Sequence, residues 1–230
     1  MCYNSDFDLQ EEREVEPYSQ EEALKDLFIE ESVFENILSR LDYKMNIILQ
    51  GPPGTGKTYM AKKIAYSLME EKNDGRINMI QFHQSYSYED FIQGYRPKDD
   101  GTFKLENGIF YRFCKKAQAD HENKYFFIID EINRGNLSKI FGELMLLIES
   151  DKRGQDYGVP LTYSISSETK FNIPDNVYII GTMNTADRSL AMVDYALRRR
   201  FAFVTVEPTF NDKFRDEFGK TGQTDHLKPE

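Results

Sequence analysis

The stretch "MNIILQGPPGTGKTY", residues 45–59, constrains the fold more than any other part of the chain. A short apolar run, 45–50, reads as a buried strand, and a helical pattern runs from about Lys57 to Glu70. Between them lies G-x-x-x-x-G-K-[ST], the pattern of a phosphate-binding loop in the strand–loop–helix setting that such a loop needs. Glycines let the backbone wrap around phosphates without Cβ clashes, and successive amides at a helix N-terminus supply positive potential. Gly51, Pro52, Pro53, Gly54, Thr55, Gly56, Lys57, Thr58 and Tyr59 therefore form the candidate nucleotide-binding segment. Lys57 has the reach for the β- and γ-phosphates, and the Thr58 hydroxyl suits a Mg²⁺ ligand.

Four further runs have strand character: "INMIQF" (77–82), "YFFIID" (125–130), "NVYIIGT" (176–182) and "FAFVTVEP" (201–208). Helical patterns at 108–119, 136–149 and 189–198 lie between most of them. Short buried strands alternating with helices predict an α/β fold, a parallel sheet covered on both faces. "GVPLTYSISSETKFNIP" (158–174) alternates and predicts an inserted β-hairpin. Upstream, Ser19 and Glu22 fit a capping box opening one or two helices, with a break near Glu31. The boundaries follow: an acidic, flexible 1–18, a helical 19–42, a nucleotide-binding core at 43–208, and a tail or truncated lid at 209–230.

"YFFIIDEINRG" ends a strand in an acidic pair. The carboxyl edge of a parallel sheet is where ligands bind, and the buried strand leaves the pair at that edge. Asp130 suits the metal shell, and Glu131 suits a base that orients and polarises water.

Composition excludes several other classes. The apolar runs are far shorter than the roughly 20 residues of a membrane helix, and the acidic start lacks a signal peptide's pattern. A soluble, cytoplasmic protein is expected. Two cysteines, Cys2 and Cys114, and three scattered histidines, His83, His121 and His226, give no disulfide framework and no zinc spacing. A net charge of -10 argues against an autonomous DNA-binding domain, which needs a basic face. No acid–lysine nuclease constellation is evident, so any DNA cleavage belongs to another chain.

"GPPGTGKT", "QFHQSYSYEDFIQGYRP", "IIDEINRGN", "GTMNTADRSL" and "DYALRRRFAF" occur in this order across residues 43–206. Together they resemble the McrB-like branch of the AAA+ P-loop NTPases, the GTP-hydrolysing motor subunits of 5-methylcytosine-specific restriction systems. The resemblance implies strand order 5-1-4-3-2 followed by a small helical lid. It also implies hexameric rings with nucleotide sites between subunits, an McrC-like nuclease partner, and a DNA-reading domain preceding the motor. Residues 1–42 are too few for that domain and 207–230 too few for a complete lid.

On the same resemblance, Arg199 and Arg200 are trans-acting arginine fingers, with Arg198 less well placed. A basic helix C-terminus favoured by the helix dipole is a reading that can hold beside it. Asp187 and Arg188 support the site or bridge to a neighbour. Asn133 and Arg134 reach the same interface, with helix capping the alternative for Asn133.

"GTMNTADRS" (181–189) comes near the guanine-reading N-K-x-D pattern, but Thr185 stands where the lysine belongs. In the order implied by the resemblance its strand adjoins the one bearing Asp130. Asn184 then sits at the phosphate end as a sensor, with base reading and a plain turn the alternatives. The aromatics Phe82, Tyr86, Tyr88, Phe91 and Tyr95 read as core or interface packing, with Phe91 and Ile92 facing inward. Base stacking, or a pore or partner contact at Tyr88, is the other reading. The expected function is a GTP-driven motor. An ATP-driven remodelling protein and a nucleotide-dependent assembly module are the alternatives.

Overall fold

A computed structural model describes residues 16–27, 29–164, 168–186 and 195–207. Asp187, Arg188, the start of the helix expected at 189–198 and the tail 209–230 lie outside the described residues.

Five strands form the central sheet: β1 (Asn46–Gly51), β2 (Ile77–Gln81), β3 (Tyr125–Asp130), β4 (Val177–Asn184) and β5 (Ala202–Thr205). Their order is β5-β1-β4-β3-β2 and every pairing is parallel, as expected. Successive side chains alternate between faces. Phe127, Ile129, Ile48 and Ile179 enter one core, and Phe126, Ile128, Ile47, Leu49 and Ile180 the other. Both faces are therefore buried, which is why β1 and β3 read as continuous apolar runs.

One face is covered by α1 (Gln20–Asp26), α2 (Glu31–Lys44) and α3 (Lys57–Met69). The predicted capping box opens α1: Ser19 Oγ accepts from the Glu22 N–H (3.2 Å), and the Glu22 carboxylate accepts from the Ser19 N–H (2.7 Å). The acidic start assigned to 1–18 ends within the fold. Glu16–Pro17 pairs with Glu71–Lys72, and Tyr18 is buried with its N–H donating to Glu70 O.

The other face is covered by α4 (Tyr88–Phe91), α5 (Ile109–Ala119) and α6 (Leu137–Phe141). Phe91 is the centre of an aromatic core, with ring centroids 4.8 Å from Phe110 and Phe141 and 5.7 Å from Phe82 and Phe127. Ile92 is fully buried beside it, whereas Tyr95 is exposed. Tyr88 opens α4 and ties it to the segment after α6, its hydroxyl donating to Glu143 (2.7 Å).

One local expectation changes. The helix expected over 136–149 stops at Phe141, because Gly142 takes a positive φ of 50° and the chain continues as a 3₁₀ turn, Gly142–Met145. A longer hairpin lies outside 158–174. It pairs Gln93–Pro97 with Phe103–Asn107, turning at Gly101 with φ 79°. Among the described residues of 158–174, Val159–Pro160 and Lys170–Phe171 pair antiparallel, a short ladder in the expected place. Among the described residues no helix is long and apolar enough to cross a membrane.

The lower edge of the sheet is joined by two buried side chains. Asn46 Nδ2 donates to Lys44 O (3.2 Å), Ile148 O (2.7 Å) and Arg200 O (3.1 Å). Its Oδ1 accepts from Arg153 (2.8 Å), whose guanidinium also reaches Ile148 O (3.0 Å) and Val177 O (2.7 Å). Burial lowers the Arg153 pKa to about 10, so it stays charged at neutral pH and is held by neutral oxygens. Losing the guanidinium strands several buried acceptors, each worth about 1–3 kcal/mol. Arg153→Met is expected to destabilise the fold by at least ~3 kcal/mol, measured as a lower urea midpoint at unchanged slope.

Candidate active site

The phosphate loop leaves β1 at Gly51 and enters α3 at Lys57. Gly54 (φ 79°) and Gly56 (φ 70°) occupy the left-handed region that disfavours any other residue. Gly56 is the N-cap of α3 and supplies no side-chain cap, so the first-turn amides face the loop's concavity. Gly51 is required for another reason: a Cβ there would collide with the Val206 carbonyl oxygen. Val206 itself donates to Gln50 O (2.7 Å), so the chain leaving β5 crosses the start of the loop.

Lys57 is buried, its ammonium donating to Gly51 O (3.1 Å), Pro52 O (2.6 Å) and Thr55 Oγ1 (3.2 Å). Burial pushes its pKa down, and the nearby Glu131 and Asp130 carboxylates oppose that shift. The lysine is thus a desolvated cation held on the loop's own carbonyls, ready to exchange them for a stronger anionic acceptor.

Thr58 and the acidic pair meet across the sheet edge. Thr58 Oγ1 donates to Asp130 Oδ1 (2.8 Å), and Thr182 Oγ1 donates to the same oxygen. Thr182 Oγ1 in turn accepts from the Glu131 N–H (3.3 Å). Glu131 sits in the left-handed region (φ 51°), which turns the chain sharply after β3, and Arg134 Nε approaches its carboxylate at 3.3 Å. Backbone strain at a non-glycine residue beside reactive groups is a frequent mark of functional sites. Gly181 lets this turn pack close, since a Cβ there would come within 2.8 Å of Ile132 Cδ1.

Asn184 is paired in register with Gly51, at the top of β4. Its Oδ1 accepts from the Ala186 N–H (3.1 Å), and Thr185 N–H donates to Gly51 O (3.1 Å). The amide oxygen is committed to this turn, and the NH₂ group is the donor end of the side chain. Asn133 lies in the 3₁₀ turn after the acidic pair, its Oδ1 buried without a hydrogen-bond partner. It does not cap the following helix: that role falls to Asn136, which accepts from the Lys139 N–H (3.1 Å).

The two arginines are not at this edge. They end α7 (Tyr195–Arg200), and the Asn46 contact to Arg200 O puts them beside the start of β1. The phosphate loop lies five residues further along that strand, roughly 17 Å at about 3.3 Å per residue. Arg199 and Arg200 are therefore out of reach of their own loop. Arg199 is 65% exposed, whereas Arg200 is 14% exposed and donates to Met145 O (2.5 Å).

Thr182 is a site residue that the motifs do not single out. Its signal is nevertheless in the letters: it lies two residues before Asn184 in a strand, hence on the same face.

The chain belongs to the AAA domain family, dynein-related subfamily, whose model matches residues 46–201. Within it, the chain is 64% identical over 196 residues to the type IV methyl-directed restriction enzyme EcoKMcrB subunit of Escherichia coli K12, covering 85% of this chain and 42% of that protein. It is 28% identical over 197 residues to the type II restriction enzyme BsuMI component YdiS of Bacillus subtilis 168, covering 70% of this chain and 57% of that one. The chain thus spans about half the length of these relatives. A solved structure described as a candidate ATPase from Cytophaga hutchinsonii shares the fold, with a TM-score of 0.52 at 16% identity, covering 90% of this chain and 55% of that one. The chain is thus a P-loop NTPase domain of the AAA family, similar in sequence to the McrB subunit.

Thr182 holds both acids without touching the phosphate loop, and loss of such supporting contacts costs roughly 10–100-fold in comparable sites. Thr182→Val is expected to lower steady-state hydrolysis at least about tenfold while nucleotide affinity changes less than about threefold, measured by phosphate release and equilibrium binding.

Proposed function

We propose that this chain is the GTP-hydrolysing motor module of a modification-dependent DNA restriction complex. The observation carrying the reading is the meeting of Thr58, Asp130, Glu131 and Thr182 beside the phosphate loop, with an arginine pair at the opposite edge of the same sheet. The McrB subunit and YdiS are both restriction-enzyme components, and similarity to them supports the biological setting.

In this reading the phosphates lie on the amides of Gly54 to Thr58, and Lys57 leaves the loop carbonyls for the β- and γ-phosphate oxygens. The Thr58 hydroxyl and Asp130 carboxylate converge within hydrogen-bond distance, an all-oxygen pair that fits Mg²⁺ directly or through water. Mg²⁺ supplies neutralisation of the charge that grows on the phosphate oxygens. Glu131 orients the attacking water and accepts its proton. Asn184 donates its NH₂ to the γ-phosphate and fixes the water's approach. Arg199 and Arg200 of a neighbouring subunit complete the site, because an arginine at this edge serves only another molecule's nucleotide. A closed ring, a hexamer by family resemblance, gives every site such a neighbour. Asn133, Arg134, Asp187 and Arg188 belong to that contact region. GTP over ATP, and an McrC-like nuclease as the cleaving partner, rest on the family resemblance. DNA cleavage is assigned to that partner, and hydrolysis here drives DNA translocation.

A base in the transition state contributes roughly 10²–10⁴-fold to rate. Glu131→Gln is expected to bind GTP as tightly as wild type and to lose at least about a hundredfold in turnover, with or without the nuclease partner. Parallel titration with GTP and ATP analogues is expected to favour GTP. Stronger ATP binding would support a remodelling protein instead. Nucleotide-dependent assembly with no wild-type turnover, even with the partner present, would sink the motor reading.

A further inference from the structure

Two adjacent arginines at one helix end repel each other and would point apart in water. Here one carboxylate lies between them. Glu149 Oε1 is 3.2 Å from an Nη of Arg199 and 3.2 Å from an Nη of Arg200. Glu149 is itself largely shielded, its side chain 19% exposed, so these contacts are screened less than a surface pair. The backbone beneath is fixed as well. Lys44 Nζ donates to Arg199 O (3.2 Å), Asn46 Nδ2 to Arg200 O (3.1 Å), and Arg40 to Phe203 O (3.4 Å). Arg200 Nε adds a bond to Met145 O (2.5 Å).

The consequence is a graded arrangement. Arg200 is held inward by a carbonyl and a carboxylate. Arg199 shares that carboxylate through one nitrogen and exposes the rest of its guanidinium. A guanidinium has five N–H donors, so this leaves donors for an outside phosphate. Fixing donors in advance is the main way a protein stabilises developing charge, because nothing has to reorganise at the moment of reaction.

We propose that Glu149 is a positioning residue that presents the Arg199–Arg200 pair to the nucleotide of an adjacent subunit. The proposal rests on the trans-acting role given to the arginines above. Glu149 touches no reacting atom and acts only through them. Its effect must therefore appear in the subunit that donates arginines and not in the subunit that hydrolyses.

Mixed assemblies of the full chain test this. One chain carries Glu131→Gln and keeps its arginines, so it donates but does not hydrolyse. The other carries Arg199→Ala and Arg200→Ala, so it hydrolyses only with borrowed arginines. Mixing the two is expected to restore GTP turnover. Adding Glu149→Gln to the donor is expected to cut the restored kcat at least about tenfold with KM within about twofold, as for loss of a preorganised contact. Adding it to the acceptor is expected to change the restored kcat less than about twofold. Glu149→Asp in the donor, which keeps the charge, is expected to retain more activity than Glu149→Gln, and it decides the matter should the glutamine variant fold poorly. Equal loss from either chain overturns the proposal, as does no loss or a gain from the donor. Failure of the unmodified mixture to regain turnover overturns the trans-acting reading and this proposal together, whereas a normal mixture indifferent to Glu149 overturns this proposal alone.

Discussion

Everything at the nucleotide edge depends on β4 being hydrogen-bonded on both sides. β4 runs parallel to β1 on one flank and β3 on the other, with Asn184 level with Gly51 and Gly181 level with Ile129. A shift of one residue would move every β4 side chain to the opposite face. Thr182 would then leave Asp130 and Glu131, and Asn184 would leave the phosphate loop. Burial of the strand on both faces resists such a slip, since Ile179 and Ile180 fill different cores. The site's geometry is thus inherited from the packing of apolar residues that touch no ligand.

Features confined to a few consecutive residues are legible in the amino-acid sequence by themselves. The phosphate loop needs glycines and a lysine at fixed offsets, and those offsets are visible in the letters. The capping box joining Ser19 and Glu22 and the acidic pair closing β3 are equally local. Features set by partners far away in the chain are not legible in this way. Arg153 reads as a surface cation, but its acceptors include Asn46, 107 positions away. The helix expected over 136–149 is broken by one glycine whose conformation the apolar period does not encode. The hairpin at 93–107 is hidden because its strands, QGYRP and FKLEN, are largely polar and exposed, so no apolar run marks them. Thr182 acts only because β3 lies beside it.

The two ends of β1 carry opposite chemistry. One end gathers Asp130 and Glu131 around a buried lysine. The other sets Arg199 and Arg200 around Glu149, with Lys44 on the Arg199 carbonyl, in a chain whose net charge is -10. The proposed head-to-tail contact between subunits would set this basic edge against the anionic site of a neighbour, a heterologous contact of the kind that closes into rings. Asn46 and Arg153 keep the basic edge attached to the strand whose far end forms the phosphate loop.

The crowding at Gly51 couples parts of the chain that are distant in sequence. The backbone at Val206 rests against the loop so closely that not even a methyl group fits between them. Main chain against main chain is a stiff contact, with no rotamer to absorb a displacement. Any displacement of the loop at Gly51 would therefore be passed to the backbone at Val206 rather than taken up by a side chain.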